Sequence, residues 1–85
     1  MPTFPEWWHW ELSFSGHAEL RMEQRDVTEV QVRAMLERAT GIEPNVVEGR
    51  FMIHARHNQY PWIVIVEPDS DSKLLVVVTV YEVSV

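Results

Sequence analysis

Eighty-five residues leave room for one domain, because a chain this short buries only around 60–65% of its unfolded surface and has no material for a second core. Hydrophobic residues make up 46% of the chain and glycine occupies only 3 positions, which excludes a disordered or low-complexity protein. Cysteine is absent, so disulfides, thiolate chemistry and cysteine-based metal centres are excluded. The formal charge is −6, from 13 acidic against 7 basic residues, so the overall field repels polyanions and any nucleic-acid role must rest on a local patch. The longest apolar run, residues 74–78, is far below the roughly 20 residues of a membrane span, and no basic-then-apolar leader opens the chain. These features predict a cytoplasmic protein with no membrane association.

Residues 1–14 hold Trp7, Trp8 and Trp10 together with Pro2 and Pro5, and the alternation Trp8, Trp10, Leu12, Phe14 has the period of a half-buried strand. A Trp-rich strand or packed arm is expected there, ahead of an α+β domain over 15–85. Ser15 can cap a first helix over 16–25. A second helix, over 29–40, is better specified: Thr28 and Gln31 form a capping box, and Val27 and Val32 occupy the positions of a hydrophobic staple. Val32, Met35, Leu36 and Ala39 share one face, and Gly41 stands where a left-handed C-cap is wanted.

After Glu43-Pro44-Asn45 the period becomes strand-like, with β-branched and aromatic residues at 46–47, 51–57, 62–67 and 74–83 and turn chemistry at 48–50, 58–61 and 68–73. Such short connections predict an antiparallel meander. Two N-terminal helices packed on a three- to four-stranded antiparallel sheet is therefore the expected fold, with Val32, Met35, Leu36, Ile53, Val64, Val76 and Val78 in the core. Regular alternation in the last strand sets Leu74, Val76, Val78 and Val80 against Leu75, Val77, Thr79 and Tyr81, so both faces are mostly apolar and both need covering. The helices cover one; the Trp-rich N-terminus, a second copy in a homodimer or another protein is left for the other.

The stretch His17-Ala18-x-x-Arg21-Met22-x-x-Arg25, followed by Val27-Thr28-x-x-x-Val32 and by Val78-Thr79-Val80-Tyr81, resembles the bacterial domain-of-unknown-function family 4258 over roughly residues 10–83. That family is regarded as akin to the RelE, ParE and BrnT toxins. The resemblance implies a RelE-like fold of two helices and an antiparallel sheet, an RNA-cleaving activity, and an antitoxin as protein partner.

His17, Arg21 and Arg25 recur at four-residue spacing, so they form a row drifting by only about 40° per step on an α-helix. Two guanidiniums beside an imidazole suit a phosphodiester and a proton transfer, while the same row equally suits salt bridges with Glu19, Glu23 or Glu29. His54 and Arg56 project to one side of a strand with Met52, and His57 to the other. That geometry argues against a metal site, since the two histidines face apart with no cysteine or close carboxylate expected beside either; His54 and Arg56 then read as an RNA-contacting face or as ordinary surface. Tyr81 shares a face with Thr79, and the resemblance implies that its phenol contacts a nucleobase or phosphate; a core tyrosine with its hydroxyl at the boundary is the alternative. The tryptophans suit base stacking or packing against core or partner.

In the metal-free ribonuclease that follows, the substrate 2′-hydroxyl attacks the adjacent phosphate. His17, His54 and Tyr81 are the candidate catalytic residues, and Arg21, Arg25 and Arg56 the substrate clamp. The row on the first helix and the His54 strand are expected within reach of one another, with the acidic residues on the opposite surface. No cofactor is expected, because no Gly-rich phosphate loop, nucleophilic triad or paired-carboxylate motif is present; Glu11 and Glu67 have no context that singles them out as bases. The competing reading is a non-enzymatic protein-interaction module that keeps the fold and binds through an apolar sheet face or the Trp-rich arm, which the charge of −6 favours.

Overall fold

A computed structural model describes residues 4–83. A single 3-10 turn, Glu6–His9, leads into strand β1 (Glu11–Phe14), followed by helix α1 (Gly16–Gln24), helix α2 (Glu29–Glu37), and strands β2 (Gly41–Pro44), β3 (Phe51–His57), β4 (Tyr60–Asp69) and β5 (Leu74–Glu82). The strands form one five-stranded mixed sheet in the order β1-β5-β4-β3-β2. Strands β2 to β5 make an antiparallel meander as expected, although its first strand is Gly41–Pro44 rather than residues 46–47, and β1 adds a fifth strand that runs parallel to β5. The expectation of three to four antiparallel strands is corrected accordingly: the polypeptide crosses from one sheet edge to the other through both helices, and such a crossover allows a parallel pair.

Both helix starts follow from their caps. The Ser15 hydroxyl accepts from the Ala18 N–H at 3.0 Å. Thr28 and Gln31 make the full capping box, with the Thr28 Oγ1 accepting from the Gln31 N–H and the Gln31 Oε1 from the Thr28 N–H. Helix α2 stops at Glu37, short of the expected end, because its last turn gives way to β2. Gly41 is therefore no C-cap; it begins β2, opposite His54. Thr40 ties this junction down, with its N–H donating to the His54 carbonyl at 2.8 Å.

Residues 46–47, expected as strand, lie in the β2–β3 loop, where Val46 is fully exposed. The loop is closed by the Asn45 N–H donating to the Arg50 carbonyl at 2.9 Å, and Gly49 supplies the positive φ of 87° that its turn needs. Pro61 and Pro68, expected in turns, are the near-terminal residues of β4 instead.

One core forms between the helices and one face of the sheet. Ala18, Met22, Val27, Val32, Met35 and Leu36 pack on Ile53, Ala55, Trp62, Val64, Val66, Leu75, Val77 and Val80, with Trp7, Trp8, Trp10, Leu12 and Phe14 closing its edge. The Trp-rich segment thus lies on the same face as the helices and does not cover the other. Val76 and Val78, expected in the core, are only half-buried and outside it. A β-bulge causes this: Ile65 pairs with Thr79 but Val66 pairs with Val77, so Val78 has no partner in the register. One extra residue flips the alternation, so Leu75, Val77 and Val80 face inward while Leu74, Val76, Thr79 and Tyr81 face outward. The Ser15 hydroxyl donates to the Val78 carbonyl at 3.0 Å, so the bulged residue keeps a hydrogen bond.

Met35 is 1% exposed, so Met35→Ala leaves a cavity in this core and is expected to cost ~2–5 kcal/mol in chemical denaturation; a loss below about 1 kcal/mol would contradict this packing. Ser15→Ala removes both the α1 cap and the Val78 contact. Its expected cost is about 1–2 kcal/mol by the same measurement, the upper part of the range for caps.

Candidate functional site

The uncovered face of the sheet collects side chains of mixed chemistry. Its centre is apolar: Ile63 and Ile65 are buried by neighbours on the same face and lie outside the core. Across the sheet, the register aligns Gly41, His54, Ile63 and Tyr81 in one row, so His54 and Tyr81 stand two strands apart, about 10 Å at the backbone, on either side of Ile63. An open pocket of ≈490 Å³ spans this row, lined among others by Thr40, Met52, His54, Arg56, Ile63 and Tyr81. His54, Arg56 and Tyr81, three of the six residues singled out in the sequence, therefore meet at one place.

His54 is positioned from two sides. Its carbonyl accepts from the Thr40 N–H and, at 3.3 Å, from the Thr40 hydroxyl. Its imidazole passes Gly41, where an added Cβ would sit 3.6 Å from Cδ2, and the Nε2 reaches the Glu43 Oε1 at 3.2 Å. Glu43 and Gly41 are two residues apart on β2 and share this face. Such an imidazole–carboxylate pair selects the ring tautomer and its orientation. Sequence reasoning missed Glu43 because its proximity depends on how β2 aligns with β3; the one available signal was its place next to Pro44 at the change of period.

Arg56 stands one row closer to the β3–β4 turn, opposite Pro61, and its Nη2 donates to the Gln59 carbonyl at 2.7 Å. The turn it braces is tight. Asn58 and Gln59 both have positive φ, 53° and 71°, as a type I′ hairpin requires. Glu11 and Ser13 on β1 and Glu67 on β4 occupy the same sheet face by their register, and Arg50 pairs with Glu67 at 3.0 Å. The acidic residues are thus not confined to the opposite surface, contrary to expectation.

His17, Arg21 and Arg25 lie elsewhere. His17 and Arg21 sit on α1, each one position before the inward-facing Ala18 and Met22, Arg25 is the C-cap, and all three are exposed. Because α1 covers the core face of the sheet, the core separates them from His54 and Arg56, and the expected single site is divided in two. Arg25 instead lines a small pocket with Asp26, His57, Tyr60, Trp62 and Glu82. His57, as the strand period predicted, faces away from His54 and meets Trp62 edge-on at 5.7 Å between ring centroids. Among the described residues no three His, Asp or Glu side chains are close enough to hold a metal, and no helix is long and apolar enough to cross a membrane.

The hairpin offers a direct check of this geometry. Gln59→Gly places the residue best suited to positive φ in the turn, and the expected outcome is a gain of about 0.5–1.5 kcal/mol, seen as a higher thermal midpoint. An unchanged or lowered midpoint would mean that the turn has another conformation.

Residues 14–82 match the family described as "Domain of unknown function (DUF4258)", and the chain belongs to that family. No curated protein and no solved structure matches the chain.

Proposed function

We propose that this DUF4258 protein is the toxin component of a bacterial toxin–antitoxin pair and acts as a metal-independent endoribonuclease at the open face of its sheet. The observation that carries the reading is the convergence of the His54–Glu43 pair, Arg56 and Tyr81 on one pocket. A base, a cation and a phenol are the groups that cleavage by the 2′-hydroxyl needs.

In this mechanism Glu43 holds the Nε2–H of His54, which leaves Nδ1 to take the proton from the 2′-hydroxyl. The new O2′–P bond forms as the P–O5′ bond breaks, giving a 2′,3′-cyclic phosphate. Arg56 stabilises the added negative charge on the phosphoryl oxygens, and Tyr81 hydrogen-bonds the same group or the base beside it. The departing 5′-oxygen takes its proton from water or from the Tyr81 hydroxyl. An antitoxin would cover the apolar centre of the face, around Ile63 and Ile65, and so block the pocket.

A second reading has its own support. A charge of −6 and a sheet face with an apolar centre and, among the described residues, no second layer suit a non-enzymatic module whose partner is a protein. Induction in a bacterial host, paired with a thermal melt of each variant, separates the two. Under the ribonuclease reading the wild type arrests growth, and His54→Ala and Tyr81→Phe relieve the arrest with unchanged midpoints. Purified wild type cleaves RNA in the presence of a chelator and leaves cyclic phosphate ends. Relief by Arg21→Ala with His54→Ala still toxic would move the activity to the α1 row. Folded wild type that neither slows growth nor cuts RNA would end the toxin reading and leave the interaction module.

A further inference from the structure

The β3–β4 hairpin separates the open-face pocket from a second, smaller one of ≈290 Å³ lined by Arg38, Arg56, Asn58 and Gln59. Two guanidiniums and two carboxamides line it, and no carboxylate does. Neither arginine makes an ion pair among the described residues, although acidic residues outnumber basic ones 13 to 7 in the chain. Each has a partial local explanation. Arg38 is the C-cap of α2, where a cation suits the helix dipole. Arg56 braces the turn through one N–H and keeps four of the five donors of a guanidinium for other partners. Neither explanation accounts for two like charges lining one open hollow that no acidic residue lines, an arrangement that repels itself until an anion enters.

We propose that Arg38 and Arg56 form a phosphate subsite that receives the phosphodiester adjacent to the one at His54 in a single-stranded RNA. The inference rests on the ribonuclease reading of the open face. Arg56 lines both pockets and so joins them. The direction of the strand follows from charge. On the other flank of the hairpin, the pocket at Arg25 also contains Asp26 and Glu82, which oppose an anion there. An RNA strand leaving the open face is thus led around the turn toward the end of α2, and the locally basic hairpin offsets the acidic protein where the substrate sits.

Two measurements on the full chain test the subsite and the reading beneath it separately. In the first, inorganic phosphate is titrated while the arginine Nε–H resonances are followed. Saturable shifts at Arg38 and Arg56, absent at Arg21 and Arg33 and lost in Arg38→Gln, are expected; non-saturable shifts, or the same shifts at every arginine, overturn the subsite however RNA behaves. In the second, uncleavable 2′-O-methyl oligonucleotides are bound. Arg38→Gln is expected to weaken a tetranucleotide about tenfold, with the dinucleotide within about twofold of wild type, and to lower the salt dependence of tetranucleotide binding by about 0.7 in log–log slope. Equal weakening of both lengths overturns a separate subsite. Phosphate saturation without oligonucleotide binding by the wild type keeps the anion site and overturns the ribonuclease reading.

Discussion

The geometry of the molecule hangs on the Ser15 side chain. Its hydroxyl accepts from the Ala18 N–H to start α1 and donates to the Val78 carbonyl, while its own N–H donates to the Val77 carbonyl. One residue thereby ends β1, begins a helix and holds the bulge in β5. Val78 has no partner in the register of either neighbouring strand, and a buried unpaired carbonyl would be costly, so the bulge is tolerable because Ser15 answers it. The bulge in turn decides which side chains face the helices. With regular pairing, Tyr81 would follow Leu75 and Val77 into the core; with the extra residue it stands on the same face as His54.

A second constraint fixes the other side of the pocket. Strand β2 is only four residues long, and it is held at its start by Thr40 against the His54 carbonyl. That contact sets Gly41 opposite His54 and therefore places Glu43, two residues on, within 3.2 Å of the imidazole. A larger residue at 41 would meet the ring at ordinary contact distance, so the glycine leaves the imidazole room beside β2 without demanding an unusual backbone. The pocket is thus assembled across four strands, β2 to β5, whose mutual alignment is set by backbone hydrogen bonds rather than by the reactive side chains themselves.

The distribution of polar and apolar groups divides the labour of the two sheet faces. Stability comes from the helix side, where the large aliphatic residues and the tryptophans surround one core. The open face contributes little beyond the mutual cover of Ile63 and Ile65, which frees its polar residues from packing duty. Among the described residues its ion pairs, Arg50–Glu67 and His54–Glu43, are both partly exposed, so they orient side chains more than they stabilise the fold.

Local chemistry made the helices and the meander legible in the amino-acid order. The change of period falls after residue 44, whereas strand already begins at Gly41; the capping box at Thr28 and the cap at Ser15 act over three residues, and both appear in the structure. So does the same-side projection of His54 and Arg56, which needs only the two-residue period of a strand. What depends on distant segments was not legible. The parallel pairing of β1 with β5, the early end of α2, the exposed loop at Val46 and Val47, and the inward place of Leu75, Val77 and Val80 all reflect partners far away in the chain. The row His17, Arg21, Arg25 is a true helix row, yet the core lies between it and the strand histidine, and a periodicity has no means of stating which side of a sheet a helix will cover. Glu43 reaches His54 by register and Tyr81 joins its face by a bulge, and both are settled when strands align and bury their apolar faces, a choice made by the assembled core and not by any short stretch of residues.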